Sequence, residues 1–133
     1  MKMTIFEKII NKEVFAYILY EDEDVIAILD HAQQTKGHTL VMPKKHFVNV
    51  LDTPTEVYLK VMKVAQDLAI LIKDKLQANG INLLTNANEV AGQSVMHFHV
   101  HILPRYDAND TLTISGPSHP EYDKQQILDQ INQ

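Results

Sequence analysis

The sequence predicts an α+β fold: a five-stranded, mainly antiparallel sheet with one long helix and a short N-terminal helix packed on it. Three observations carry this prediction. Between Thr53 and Gly80, apolar residues recur at steps of three and four, the pattern of one long amphipathic helix. Short β-rich runs lie before and after it, separated by turn-forming residues. The 133 residues are most simply one domain, 1–133, with a core at 5–105 and a C-terminal tail at 106–133, and no repeat or linker divides them.

Taken in order, Ile5, Phe6, Ile9 and Ile10 have helical spacing and predict a short N-terminal helix. Ala16 to Tyr20 and Val25 to Leu29 flank the run Glu21-Asp22-Glu23-Asp24. They read as a hairpin whose acidic segment is a solvated turn rather than a metal or partner site. His38 to Met42, entered through Gly37 and ended by Pro43, is a third strand. Thr53-Pro54-Thr55-Glu56 reads as a helix start, with a capping Thr, Pro at the first helical position and Glu at the third. Val57, Val61, Val64, Ala65, Leu68, Leu71, Ile72 and Leu76 then form one buried stripe until Asn79-Gly80 ends the helix. Ile81 to Thr85 is a strand, Asn86 to Gln93 a loop, and His97 to Leu103 a strand closed by Pro104-Arg105. The tail carries Gly116, Pro117 and Pro120 before a last helix from about Tyr122 to Ile131.

Composition removes several functions. A net charge of −5 argues against a nucleic-acid polymer held by counterion release, which needs a basic stripe, while leaving a small anion possible. The absence of cysteine rules out disulfides and thiolate zinc sites and fits a reducing compartment. The first residues hold no apolar core of signal-peptide length, and no later stretch is long enough to cross a bilayer. The expectation is a soluble, cytoplasmic protein with no membrane partner.

The chemistry concentrates at His97-Phe98-His99-Val100-His101-Ile102-Leu103. Side chains alternate across a strand, so His97, His99 and His101 share one face, neighbours roughly 7 Å apart, while Phe98, Val100 and Ile102 occupy the other. Imidazole exchanges protons, attacks electrophiles or binds metals near neutral pH, so three in register point to a reaction centre. Directly upstream, Ala91-Gly92-Gln93-Ser94 places a glycine where main-chain N–H groups can approach a ligand, beside an amide and a hydroxyl. Together they offer donors to a phosphate. Taken alone, Gly92, Gln93 and Ser94 read more often as an ordinary turn than as a phosphate site, and Asn86 and Asn88 also read as turn residues.

Gly37-His38, Pro43-Lys44-Lys45-His46, Ala91-Gly92-Gln93-Ser94-Val95 and the His-x-His-x-His element resemble the histidine triad (HIT) superfamily in order and separation. Ile5-Phe6-Glu7-Lys8-Ile9-Ile10 and Leu29-Asp30 are most similar to its nucleotide-binding phosphoramidase branch, and the likeness runs from Ile5 to Arg105. The resemblance implies a hydrolase that breaks a bond at the α-phosphorus of a purine nucleoside monophosphate derivative through a covalent nucleotidyl-histidine. It places the nucleophile at His99, oriented by the carbonyl of His97. His101 is placed on the phosphate oxygens, Ser94 near the leaving group, and His38 behind the triad. Gly92, Gln93 and Asn86 would line the phosphate pocket, and Asp30 would take the ribose hydroxyls. Ile5, Phe6, Ile9, Ile28 and Leu40 would form the base slot, although plain core packing explains them equally well. A site of this kind works by positioning and charge stabilisation, so no metal and no cofactor is expected. The family's usual state implies a homodimer.

The sequence departs from the family at two places. Some bacterial relatives hold a structural zinc through Cys-x-x-Cys and two histidines matching His46 and His97, whereas this chain has Thr4 and Glu7 at the cysteine positions. His31 stands where relatives often carry an aliphatic residue. Alternatives to a phosphoramidase are a dinucleoside polyphosphate hydrolase and a non-catalytic nucleotide sensor. A metal-dependent hydrolase is disfavoured because no carboxylate sits in or just before the triad. A uridylyltransferase would carry His-Pro-Gln in place of His99-Val100-His101.

Overall fold

A hydroxyl begins the first element: Thr4 caps the short helix α1 (Ile5–Ile10) in the computed structural model, which describes residues 2–107, 110, 112–113 and 115–133. The chain continues through β1 (Ile18–Glu21), β2 (Val25–Leu29), β3 (Thr39–Pro43), the 21-residue helix α2 (Thr55–Lys75) and β4 (Gly80–Leu84). A single 3₁₀ turn at Glu89–Ala91 leads to β5 (Val100–Arg105) and then α3 (Lys124–Ile131). The strands form one sheet in the order β1-β2-β3-β5-β4, antiparallel at every pairing. This is the expected α+β architecture.

β2 and β3 are buried on both faces, which explains their nearly unbroken apolar runs. On one face Val25, Ala27, Val41, Phe98, Val100 and Ile102 pack against the α2 stripe of Val61, Val64, Ala65, Leu68, Ala69 and Ile72. On the other, Ile26, Ile28, Leu40 and Met42 pack against Phe6 and Ile9 of α1. Full burial of each such aliphatic side chain contributes about 1.5–3 kcal/mol. The acidic segment is the expected turn, since Asp22 Oδ1 accepts the N–H groups of Asp24 and Val25. No helix among the described residues is long and apolar enough to cross a membrane.

Several boundaries differ from the sequence expectation. Thr53 does not cap α2, because its hydroxyl donates to the Asn49 carbonyl over 2.7 Å; Pro54 is the N-cap and Thr55 the first helical residue. The helix ends at Lys75 rather than at Asn79-Gly80. Gln77 takes the left-handed turn at φ 59°, and Asn79 already donates to the carbonyl of Arg105 in the neighbouring strand. Leu71, expected in the buried stripe, is 48% exposed, and Ala69 is buried instead. Pro104 does not close β5 but lies within it, beyond Val100 to Ile102 where β3 pairs, a position that tolerates a missing N–H.

The histidine segment is the correction that matters most. β5 starts at Val100, so His97, Phe98 and His99 precede the regular strand. Their side chains still alternate. Phe98 enters the α2 core and donates its N–H to the Phe47 carbonyl over 2.7 Å, while the rings of His97 and His99 meet Phe6 edge-on with centroids 6.1 and 4.9 Å away.

Candidate functional site

A cavity of about 580 Å³ opens on the α1 side of the sheet, within the roughly 300–1,000 Å³ range of small-molecule sites. Ile5, Phe6 and Ile9 of α1 form one wall, and Ile28, Leu29 and Asp30 at the end of β2 form another. Leu40, Ser94, Val95, His99 and His101 line it as well, together with Phe15, Ala16, Tyr17, His31 and Gln33. Another depression, of about 600 Å³ between the β1–β2 hairpin and α2, has no imidazole in its wall. Its charges pair locally, Lys60 with Asp24 and Lys63 with Asp67.

The hydrogen bonds assign a tautomer to each imidazole. His99 Nδ1 lies 2.7 Å from the carbonyl of His97. A carbonyl only accepts, so Nδ1 carries the proton and Nε2 keeps a bare lone pair. His38 Nδ1 accepts the main-chain N–H of Gln34 at 3.3 Å, leaving its Nε2–H to donate to His101 Nδ1 at 2.9 Å, with Asp30 Oδ2 at 3.4 Å from the same nitrogen. His101 must then carry its own proton on Nε2. The cavity thus holds a nucleophilic nitrogen on His99 and an N–H donor on His101, with ring centroids 4.9 Å apart. His97 donates from Nε2 to the Pro43 carbonyl at 2.7 Å and lies fully buried outside the cavity wall, its Nδ1 without a partner.

All four imidazoles are held neutral. Burial lowers the pKa of His99 below the ordinary imidazole value, against opposing effects of the His97 carbonyl and Asp30. His101 is pushed down to about 4 by burial and by the neighbouring His99 and His38. Burial likewise lowers His38 and His97.

The structure separates the expected site residues into three sets. Ile5, Phe6, Ile9, Ile28, Leu40, Asp30, Ser94, His99 and His101 meet in the cavity. His38 and His97 stand behind it, holding ring orientations. Asn86, Gly92 and Gln93 lie outside its wall. The Gln93 side chain is not free to reach a phosphate: its Nε2 donates to the carbonyls of Val48 and Val95 at 2.6 and 3.0 Å, while its Oε1 accepts from Asn88 N at 2.8 Å and Asn49 Nδ2 at 3.2 Å. It is a buried staple for the loop. Gly92 follows the 3₁₀ turn at φ 101°, where a side chain is strained, with Asn86 packed over its Cα. Asp30 Oδ1 caps the following turn through Ala32 N–H at 2.7 Å, so this carboxylate is both a turn residue and part of the cavity wall.

Sequence reasoning did not single out Asn49, which is 5% exposed and whose place beside Gln93 comes from a pairing 44 residues apart. Phe15 and Tyr17 were also missed as cavity residues, although two aromatics flanking one alanine beside a hairpin could have flagged them.

Two places were tested for metal. Asp30, His38 and His101 bring ligand-type atoms within 4.8 Å of one another. The 2.9 Å between the two imidazole nitrogens is an N–H···N hydrogen bond, so a proton and not a cation fits there. At the positions where the family resemblance implies a structural zinc, the Thr4 hydroxyl accepts Glu7 N–H at 3.1 Å and Glu7 Oε1 accepts Thr4 N–H at 2.9 Å. His46 donates to the Met96 carbonyl at 2.7 Å. Replacing both thiolates by a mutually bonded hydroxyl and carboxylate leaves a donor set that does not fit that zinc.

Comparison with known proteins identifies the family and agrees with the fold. The HIT domain family matches residues 11–108. The protein called "Protein hit" of Bacillus subtilis is 41% identical over 128 residues, covering 96% of this chain and 88% of that protein. A crystal structure of a HIT family member from Bacillus subtilis superposes with a TM-score of 0.91 at 39% identity, over 98% of this chain and 96% of that one. A HIT family hydrolase from Clostridium thermocellum gives 0.68 at 32% identity, over 89% and 97% of the two chains.

Proposed function

The chain belongs to the HIT domain family, and from that premise we propose that it hydrolyses purine nucleoside phosphoramidates, such as adenosine monophosphate joined to an amine, through a nucleotidyl group carried on His99. One observation carries the reading: the bare Nε2 of His99 and the Nε2–H of His101 belong to one cavity that also holds a carboxylate and an apolar slot.

In this reading Asp30 accepts the ribose hydroxyls and the slot of Ile5, Phe6, Ile9, Ile28 and Leu40 takes the base. The phosphate then lies against His99, His101 and Ser94, with the loop of Asn86, Gly92 and Gln93 shaping its approach. The His99 Nε2 lone pair forms a bond to phosphorus as the phosphorus–nitrogen bond to the amine breaks, and the amine leaves with a proton drawn from water and relayed through the Ser94 hydroxyl. The adduct ring is cationic, and its Nδ1–H then makes a charge-assisted hydrogen bond to the His97 carbonyl. His101 donates to a phosphoryl oxygen as charge builds there. Water next attacks phosphorus and returns a proton to solvent as the bond to His99 breaks, so the His99 Nε2 regains its lone pair and the nucleotide leaves. The two reacting imidazoles, His99 and His101, are kept neutral by burial, which leaves the His99 lone pair available for attack. A homodimer remains part of the proposal, with sedimentation at micromolar concentration as its measure.

The test is the intermediate. Wild-type protein quenched early in turnover should carry a nucleotidyl group on His99, acid-labile and base-stable, mapped by peptide mass spectrometry under mildly alkaline conditions. His99→Ala should lose nearly all turnover and keep nucleotide binding. A substrate panel of an adenosine phosphoramidate, a diadenosine polyphosphate and a uridine analogue identifies the leaving group. An adduct on His97 or His101, or appreciable activity in His99→Ala, would overturn the assignment.

A further inference from the structure

We propose that Phe15 and Tyr17 form an aromatic wall against which the base of the bound nucleotide stacks, so that selection of purine over pyrimidine is set at this outer rim. The proposal rests on the nucleotide reading above and deepens it.

Phe15 and Tyr17 are 77% and 68% exposed, and neither belongs to a core cluster. Their rings nevertheless meet edge to face with centroids 4.9 Å apart, an ordered pair rather than two loose side chains. Both line the cavity that holds Asp30, His99 and His101. The segment is seated at two points. Ala16, between them, packs on the α1-side core, and the Tyr17 carbonyl accepts the N–H of Leu29 at 2.9 Å, one residue before Asp30. A ribose held by Asp30 therefore projects its base from a point beside this anchored pair.

The same cavity is lined by Ile5 and Ile9 of α1, and Ile5 is 45% exposed. With the Phe15 and Tyr17 planes 83° apart, one ring can offer its face to a base while the other braces it edge-on, and the aliphatic residues of the same cavity supply further apolar contact. Stacking on aromatic side chains holds a base through its π-face rather than its hydrogen-bonding edge, and a two-ring purine overlaps such a wall more fully than a one-ring pyrimidine. The wall would thus separate base classes while distinguishing adenine from guanine only weakly.

The experiment compares wild type, the double variant Phe15→Ala with Tyr17→Ala, and the conservative double variant Phe15→Tyr with Tyr17→Phe. Calorimetry with AMP, GMP and UMP is paired with kcat and KM for adenosine and uridine phosphoramidates, each made with one aliphatic and one aromatic amine. The alanine variant should lose roughly tenfold or more in affinity for AMP and GMP, with less than about threefold change for UMP. The loss with the adenosine substrates should fall on KM more than on kcat, and the conservative variant should restore purine affinity. Equal loss for all three nucleotides, or none, would overturn the wall. A loss that follows the amine instead of the base would assign the rings to the leaving group and overturn it as well. Wild-type protein that binds no nucleotide overturns the nucleotide reading itself and this proposal with it, an outcome read before any variant is made.

Discussion

Asn49 Nδ2 donates to Gln93 Oε1 over 3.2 Å in a buried contact between the segment after β3 and the loop before the triad. Asn49 also donates to Asn88 Oδ1 at 3.3 Å, and its own side-chain oxygen accepts Leu51 N–H at 2.9 Å. Asn49→Ala leaves buried polar atoms unpaired, a loss of about 1–3 kcal/mol. Thermal denaturation should show a clear drop in Tm, with a fall in kcat as the loop shifts. An unchanged Tm would show that the loop does not depend on this pair.

His38→Ala removes the donor that fixes His101. The His101 proton is then free to sit on either nitrogen, and part of the population loses its donor toward the phosphate. We expect kcat to fall by at least about tenfold while AMP affinity changes little. A variant with normal kcat would mean that His101 keeps its tautomer unaided.

The pH profile follows from the lowered pKa values of His99 and His101. An ordinary imidazole is half protonated at about pH 6.5, whereas burial moves the midpoints of both residues lower, that of His101 to about 4. kcat/KM should stay flat from about pH 8 down through 6.5 and decline only in more acid solution. Stability shares the direction: the unfolded chain binds protons that the folded histidines refuse, so stability is complete above about pH 6.5. It is lost as pH falls toward the His101 value of about 4. A profile that breaks at pH 6.5 or above contradicts the burial argument.

Glu7 and Thr4 close the N-terminus of α1 without metal, so extensive chelation should change neither Tm nor turnover, and metal analysis should find no stoichiometric zinc. Thr4→Ala should cost about 1 kcal/mol through loss of the cap, read as a lower Tm. Zinc present in equimolar amount, or activity lost to EDTA and restored by zinc, would reverse this assignment.

Asp30→Ala should weaken AMP far more than its 2′,3′-dideoxy analogue, because a charge-assisted hydrogen bond is worth about 1.5–3 kcal/mol. Calorimetry with both ligands decides it. Equal weakening would leave Asp30 only its role at the Ala32 turn.

The elements were legible where periodicity alone determines them. α1, the β1–β2 hairpin, β3 and the middle of α2 follow from apolar spacing, and the structure keeps them within a few residues. What failed at the boundaries was competition for hydrogen bonds. Thr53 has capping chemistry, but the Asn49 carbonyl takes its hydroxyl; Gly80 looks like a helix stop, but Gln77 turns the chain first. The alternation of His97, His99 and His101 was legible, and the missing strand geometry at His97 was not, because the tie from Phe98 to Phe47 is non-local. Residue type also said nothing of where the Gln93 amide would be spent.

The two-residue repeat through Phe98, His99, Val100, His101 and Ile102 ties chemistry to folding. A one-residue slip would drive imidazoles toward the α2 core and aromatic and aliphatic groups toward the cavity, stranding polar nitrogens in a dry interior. The misaligned chain would be inactive and would also lack a core. Such a chain cannot accumulate as a stable, nucleotide-binding imposter that occupies ligand without turning it over. The same aromatic and aliphatic side chains that anchor the helix thereby fix which face the imidazoles occupy.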